Sequence, residues 1–267
     1  MAVYPLMMAE RMRAGQTLYT VWSSIPENNL VDYLSTLKFE AVTLDMQHGG
    51  HDEASVYNGV AAIIRRERCA VVRVPVGRND MVSRALDMGA EAVISPMINS
   101  VEDAIAFADA MKYPPMGKRS WGASRAVSVR GIEGGNAFLH SANAQTISFA
   151  MIETTEAYAA LDEILAIEGI DAVFVGPADF SIALTGGREV NPSLETMMAT
   201  IADIANRAKK AGKFAGIFAM DPKVAPQFAQ MGYQFIAAGF ETSLITAGAD
   251  TFYDLAGILS KMSQDAP

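Results

Sequence analysis

Eight short runs rich in Val, Ile, Phe and Ala recur along the chain: TLYTVW (17–22), AVTLDM (41–46), AVVRV (70–74), AVISP (92–96), ISFAMI (147–152), AVFVG (172–176), FAGIF (214–218) and FIAAG (235–239). They alternate little between apolar and polar, the pattern of strands buried on both faces in a parallel sheet. Segments with helical spacing lie at 28–39, 53–67, 78–91, 101–113, 155–167, 192–212, 224–232 and 244–262. The sixth of these ends in basic residues and Gly212, a helix-stop signal. Strict strand–helix alternation requires parallel strands joined by right-handed crossovers. Eight such units in 267 residues match the α/β architecture of a (β/α)8 barrel, typically ~250 residues. The alternative, an open doubly wound sheet of the dinucleotide-binding kind, lacks its GxGxxG after the first strand. No internal repeat or low-complexity linker interrupts the pattern, so one barrel domain is expected over residues 1–267. One connection is abnormally long: residues 113–146 are Gly-rich and carry Arg119, Arg125 and Arg130. Loops of that length either cover a site or pack as an ordered surface excursion, here against a neighbouring subunit.

Charge and cysteine content narrow the function classes. A net charge of −9 argues against nucleic acid as a partner, since phosphate binding needs a basic face. It leaves room for a small anionic substrate in a local positive pocket. The single cysteine, Cys69, excludes an internal disulfide and makes the cytoplasm the expected compartment. The opening MAVYPLMMAERMRAG lacks the basic start and apolar run of a signal peptide. No window approaches the ~18 apolar residues of a membrane span, so no membrane association is expected.

In a barrel the active site lies at the C-terminal ends of the strands. Those ends carry Trp22, Asp45-Met46-Gln47-His48, Arg73, Pro96-Met97, Glu153, Gly176-Pro177-Ala178-Asp179, Phe218-Ala219-Met220 and Gly239. Half of them deliver a charged or imidazole group beside apolar sequence. Glu153 and Asp179 end adjacent strands and would repel each other unless a hard divalent cation lay between them. Their alternative role is to cap the helices that follow. His48 lies three residues after Asp45, a carboxylate that could raise the imidazole's basicity and fix its tautomer. His51 competes for the same role. Arg73, inside an apolar strand, reads either as an ion pair with Asp45 or Glu91, or as a clamp for a substrate carboxylate or enolate.

Four segments then resemble the HpcH/HpaI-type metal-dependent pyruvate aldolases. They are LDMQHGGHD (44–52), VVRVPVGRNDMVSRALDMGAEAVISPMINSVEDA (71–104) with KYPPMGKRSWG beyond it (112–122), MIETTEA (151–157) and IEGIDAVFVGPADFS (167–181). The last is similar to the family's VEGxDxVFxGPADLS signature. The resemblance runs over roughly residues 14–260. It implies a barrel of the phosphoenolpyruvate/pyruvate superfamily that reversibly cleaves 4-hydroxy-2-oxo acids to an aldehyde and pyruvate, or a close 2-oxo acid such as hydroxypyruvate. It implies Glu153 and Asp179 as ligands of a divalent cation (Mg²⁺, Mn²⁺ or Co²⁺), with no organic cofactor. His48 would be the base, Asp45 would orient it, and Arg73 would stabilise the enolate. Asp87 would support His48 of a neighbouring subunit in a homohexamer with shared sites. Gly176, Pro177, Ala178 and Asp179 would bind the oxo acid through backbone N–H groups at Ala178 and Asp179, with Trp22 and Phe218 lining the same site. Two residues depart from the family pattern: Gln47 stands where Glu is common, and Met151 where Gln is common.

Three other readings compete. A Schiff-base aldolase needs a lysine at a strand end, and Lys223, after the seventh strand, comes nearest. A CoA-thioester lyase of the same superfamily, of the citramalyl- or malyl-CoA type, would need a nucleotide-binding surface, for which the 113–146 segment is the candidate. A barrel repurposed for binding would release no pyruvate.

Overall fold

The computed structural model of this chain describes Tyr4 and residues 7–264, with side chains through residue 257. Eight parallel strands close into a barrel in the order of the sequence. They are β1 (Leu18–Ser23), β2 (Ala41–Asp45), β3 (Cys69–Arg73), β4 (Ala92–Ser95), β5 (Ile147–Ile152), β6 (Ala172–Val175), β7 (Phe214–Phe218) and β8 (Phe235–Phe240). The helices are α1 (Met8–Arg13), α2 (Asn28–Leu34), α3 (Glu53–Arg65), α4 (Asn79–Met88), α5 (Val101–Met111), α6 (Ser124–Arg130), α7 (Gly135–Gln145), α8 (Thr155–Ala159), α9 (Leu161–Leu165), α10 (Pro177–Leu184), α11 (Met198–Lys210), α12 (Ala225–Met231) and α13 (Glu241–Gln264). All eight strands fall where the apolar runs predict them, and the (β/α)8 expectation holds.

Two layers of core account for the lack of alternation. One set of strand residues, including Val21, Val42, Val72, Val93, Ile152 and Ile217, faces outward and packs under the helices. The other set, including Trp22, Val71, Ile94, Phe149, Phe174 and Phe235, fills the barrel interior. Because side chains alternate along a strand, each inward series continues to the site. Ala41 and Thr43 lead to Asp45, Cys69 and Val71 to Arg73, and Phe149 and Met151 to Glu153.

The helices show where periodicity under-reads the chain. The 78–91 segment stops at Met88, because Gly89 takes a left-handed φ of 110° and its N–H bonds Leu86 O. The 155–167 segment breaks at Ala160 into α8 and α9. The 28–39 segment ends at Leu34. Four helices lie outside every predicted segment: α1, α10, and the pair α6 and α7, which form one excursion. That excursion spans the 113–146 connection and has its own core of Tyr113, Ala123, Ala126, Phe138 and Ala142. It joins the end of α5 to the start of β5, so both its ends lie at the strand-start end of the barrel. Buried Lys112 staples it there, with Nζ donating to Asn143 O (2.8 Å) and Thr146 O (2.7 Å) and pairing with Asp171 at 2.6 Å.

The same end is floored by α1, whose Met8 and Met12 enter the inner core. Glu91, before β4, fixes it. Its Oε2 accepts the N–H groups of Met7 and Met8, each at 2.7 Å, and its Oε1 lies 3.3 Å from the buried Arg130 guanidinium, which also donates to Gly89 O. Removing one partner of a buried ion pair leaves the other charge uncompensated, at a cost of about 3–5 kcal/mol. Glu91→Ala should therefore lower the unfolding free energy by about that amount in urea titrations, and Glu91→Gln by clearly less. A loss below about 1 kcal/mol for Glu91→Ala would remove this pair from the account of the fold.

Candidate active site

A cavity of about 420 Å³ opens at the C-terminal ends of the strands. Trp22, Asp45, His48, Arg73, Gly176, Pro177, Ala178, Asp179 and Phe218 all line it. The structure thus brings together nearly every residue singled out from the sequence. Ser24, Met151, Phe174, Met220, Phe240 and Thr242 complete the wall. Of these, Ser24, Phe240 and Thr242 were missed. They lie one to three residues beyond the predicted ends of the first and eighth strands, so extending those strands would have found them.

Asp45 and Arg73 are direct partners in the β2–β3 register. Arg73 Nε donates to Asp45 Oδ1 at 2.9 Å and Nη2 to Oδ2 at 2.7 Å, with Asp45 1% and Arg73 11% exposed. Trp22 Nε1 adds a third bond to Oδ2, at 3.2 Å, and its ring lies 5.0 Å from the guanidinium. Burial pushes the Asp45 carboxyl up, but the Arg73 bonds, with those from Trp22 and the Gln47 N–H, outweigh it and hold the group below its usual range. The ion-pair reading of Arg73 therefore holds for Asp45. Glu91, the other candidate partner, is taken by Arg130. Arg73 Nη1 has no protein hydrogen bond among the described residues, so the guanidinium keeps a donor for a ligand.

The expected Asp45–His48 contact takes a different form. Asp45 Oδ1 accepts the backbone N–H of Gln47 (3.0 Å) and of His48 (3.4 Å), not the imidazole. The carboxylate shapes the turn that carries His48 and leaves the ring exposed at the pocket. Gly49 is needed in that turn, since a Cβ there would lie 2.5 Å from Asp45 O. His51 is spent structurally. It is 5% exposed, and its ring nitrogens lie 3.0 Å from the hydroxyls of Ser23 and Ser55. Burial holds it below its ordinary pKa, against the nearby Glu241, Asp45 and Asp52 charges.

Glu153 follows β5 and is 2% exposed. Oε1 accepts the Met97 N–H at 2.8 Å, while Oε2 has no donor among the described residues. Burial pushes its carboxyl up to about 7. The Met97 N–H pulls it down, Asp179 pushes it further up, and Arg73 opposes. The capping alternative fails for both carboxylates. Thr154 caps α8, accepting the Ala157 N–H, and α10 has Gly176 at its N-cap with no side-chain bond. The backbone at Gly176 comes close to that carboxylate, since a Cβ there would sit 2.5 Å from Glu153 Oε2. Pro177 has no N–H, and the Phe180 N–H is the first to bond back into the helix, to Gly176 O at 3.0 Å. The N–H groups of Ala178 and Asp179 are left at the pocket wall, where the helix N-terminus favours an anion.

A hard divalent cation fits this donor set. A buried carboxylate after β5, Glu153, and an exposed one on the first turn of α10, Asp179, stand close enough to repel each other, and one oxygen of Glu153 is open. Among the described residues no group of three or more His, Cys, Asp and Glu gathers as a closed metal cage. The pair therefore leaves coordination positions for ligands, as a catalytic rather than a structural ion needs.

Asp87 is not part of this pocket. It ends α4 at the strand-start side and pairs with Arg119 at 2.6 Å. The 113–146 excursion does not reach the pocket either, which corrects the expectation of a cover over this chain's own site. Among the described residues no lysine lines the cavity, and Lys223 lies outside it. The Schiff-base reading therefore has no nucleophile. No helix among the described residues is long and apolar enough to cross a membrane.

Known proteins are similar to this chain over most of its length. The profile of the HpcH/HpaI aldolase/citrate lyase family matches residues 18–247. A hydroxypyruvate/pyruvate aldolase of Pseudomonas aeruginosa is 31% identical over 236 residues, covering 88% of this chain and 87% of that protein. A 2-keto-3-deoxy-L-rhamnonate aldolase of Salmonella gallinarum is 31% identical over 242 residues, 91% of this chain and 90% of its own. The crystal structure of an HpcH/HpaI aldolase/citrate lyase family protein from Burkholderia cenocepacia J2315 superposes with a TM-score of 0.84 at 28% identity, over 94% of this chain and 100% of that one. The chain belongs to the HpcH/HpaI aldolase/citrate lyase family and is a carbon–carbon lyase of the aldolase type.

Proposed function

We propose that this aldolase reversibly cleaves 4-hydroxy-2-oxo acids to an aldehyde and pyruvate, or a close 2-oxo acid such as hydroxypyruvate, with a divalent cation (Mg²⁺, Mn²⁺ or Co²⁺) held by Glu153 and Asp179. The observation that carries the reading is the set of groups at one cavity: Asp179 on its wall with Glu153 buried just behind the lining residue Gly176, the Asp45–Arg73 pair on the other side, and two helix N–H groups between. The cation supplies Lewis-acid polarisation of the 2-oxo group. The N–H groups of Ala178 and Asp179 hold the substrate carboxylate. Arg73 Nη1 stabilises the oxyanion that develops on the C2 oxygen, where preorganised charge is worth a few kcal/mol. His48 takes the C4-hydroxyl proton as the C3–C4 bond breaks, and its electron pair passes into the enolate. Return of that proton from His48 to C3 then completes pyruvate and restores the base. Asp45 positions Arg73 and the His48 turn.

We extend the reading to a single barrel domain working as a homohexamer in the cytoplasm. The association is supported by α13, which leaves the barrel with Leu244, Ile245, Phe252, Tyr253 and Leu255 exposed, more apolar surface than one helix normally shows to water. The position of Asp87, away from its own pocket, suits a role at His48 of a neighbouring subunit. A lone buried cysteine suits a reducing compartment.

Chelation should abolish pyruvate release, and added Mg²⁺ or Mn²⁺ should restore it. Glu153→Gln and Asp179→Asn should lose turnover while thermal melts stay close to wild type, because neither carboxylate caps a helix. Full activity after verified metal removal would overturn the mechanism. Glu153 also sets a pH dependence. In the metal-free protein its raised pKa makes the protonated form the stabilising one, a contribution present below the unfolded value and lost as pH rises through about 7. The cation must displace that proton, so its affinity, read by titration calorimetry, should fall about tenfold per unit below that pH.

Arg73→Lys keeps the charge but loses the two-pronged grip on Asp45. It should lower kcat by at least ~10-fold, about 1.4 kcal/mol of transition-state stabilisation. An unchanged kcat in a folded variant would reduce Arg73 to a structural ion pair.

His48→Ala should slow both aldol cleavage and exchange of pyruvate methyl protons. His51→Ala should act on thermal stability more than on turnover. The reverse ranking would move the base to His51.

A further inference from the structure

Between the two polar poles, the β7–β8–β1 arc of the cavity is apolar. Phe218 and Phe240 stack with centroids 4.9 Å apart, and Phe218 meets Trp22 edge-on at 5.1 Å. Met220, 49% exposed, extends this face to the rim. Met151 makes the floor, its methyl close enough that a Cβ on Gly176 would lie 2.9 Å away. Polar groups on the arc are few. Ser24 Oγ and N–H both donate to Glu241 Oε1, at 3.0 and 2.5 Å, which leaves Thr242 as its uncommitted hydroxyl. Among the described residues, Arg73 is the only arginine or lysine lining the cavity. Two of its nitrogens are bound to Asp45, and its free donor faces the oxo-acid end in the reading above.

An acceptor aldehyde that carried a carboxylate would find no cation on this arc and two carboxylates, Asp45 and Asp179, in the same cavity. A polyhydroxylated aldehyde would bury hydroxyls against phenyl rings and a thioether, each unpaired group costing free energy. We propose that the acceptor is an uncharged aldehyde with an apolar body of aryl or branched-alkyl size, seated against Phe218, Met220 and Phe240. This rests on the aldolase reading and names the acceptor class for the same site. Phe240 and Met220 are then specificity-determining residues, and Met151, in place of a hydrogen-bonding amide, belongs to the same apolar surface.

Aldol addition to pyruvate should be compared for benzaldehyde, succinic semialdehyde and glyceraldehyde with the metal-loaded protein. Benzaldehyde should lead in kcat/KM by at least ~10-fold, the scale on which an apolar pocket separates ligands. Intrinsic aldehyde reactivity cancels when variants are compared. Phe240→Ser should cut the benzaldehyde-to-glyceraldehyde ratio by ~10-fold or more, and Met220→Arg, at an exposed position where folding is safe, should raise the ratio of semialdehyde to benzaldehyde by a similar factor. A wild-type preference for the semialdehyde or the polyol, or ratios unmoved by both variants, would overturn the assignment. Deuterium exchange of the pyruvate methyl group in D₂O reads the donor half-reaction without an acceptor. Exchange with the wrong aldehyde preference overturns the acceptor class alone, whereas absence of exchange overturns the aldolase reading and this one with it.

Discussion

The Asp45–Arg73 pair is the interaction on which the rest of the site depends. Both residues occupy inward strand-end positions, and the parallel register sets them side by side. A guanidinium in a barrel mouth is tolerable only with a partner of matching geometry. Asp45 supplies it with both oxygens. The same carboxylate takes the Trp22 indole N–H and the Gln47 and His48 backbone N–H groups. One buried charge therefore fixes three things: the plane of Arg73, the indole that packs near it, and the turn that presents His48. Saturating Asp45 in this way is also what frees Arg73 Nη1 from internal duty.

The barrel explains why these groups meet the other pole of the site. In a closed eight-stranded order, β2 stands across from β6 and β3 is two strands from β5. Inward residues at those ends converge over the top layer of the core, formed by Met151, Phe174 and Phe218. Glu153 continues the inward series of Phe149 and Met151. Asp179 arrives differently, on the first turn of α10, which starts immediately after β6 because Pro177 can open a helix without losing a hydrogen bond. The close approach at Gly176 lets the carboxylate of β5 and the helix of β6 share one small space.

The sequence reading was strongest where the physics is local. Unalternating runs of β-branched and aromatic residues marked all eight strands, because burial on both faces leaves no polar side to hide. The strand ends carried nearly all of the pocket for the same reason. What escaped depends on distant partners. The helix α1 has no caps or spacing that announce it; it exists because Glu91 receives two of its first N–H groups and the barrel floor receives Met8 and Met12. The excursion reads as a Gly-rich loop, but its two helices are held by Lys112, Asp171 and a private aromatic core. At the site, spacing brought Asp45 near His48 but could not tell ring from backbone. Nor could it show that Thr154, one residue on, does the capping that Glu153 might have done.

The buried carboxylates differ in what they do for the fold. Asp45 has five hydrogen bonds, two of them from a guanidinium. Glu91 faces Arg130 and caps a helix. Glu241 gathers three donors onto one oxygen, tying the start of α13 to Ser24 and Ile25. Each of these groups holds elements together. Glu153 has one N–H, a carboxylate neighbour in Asp179, and a pKa raised to about 7 by burial. It joins no elements that Thr154 does not already join, and its burial opposes its own charge. A folded chain retains such a group where a ligand compensates what the protein does not. Glu153 lies beside the open helix N-terminus and across from Arg73, and a buried carboxylate that ties no elements together at that position singles out one end of the barrel as the place for chemistry.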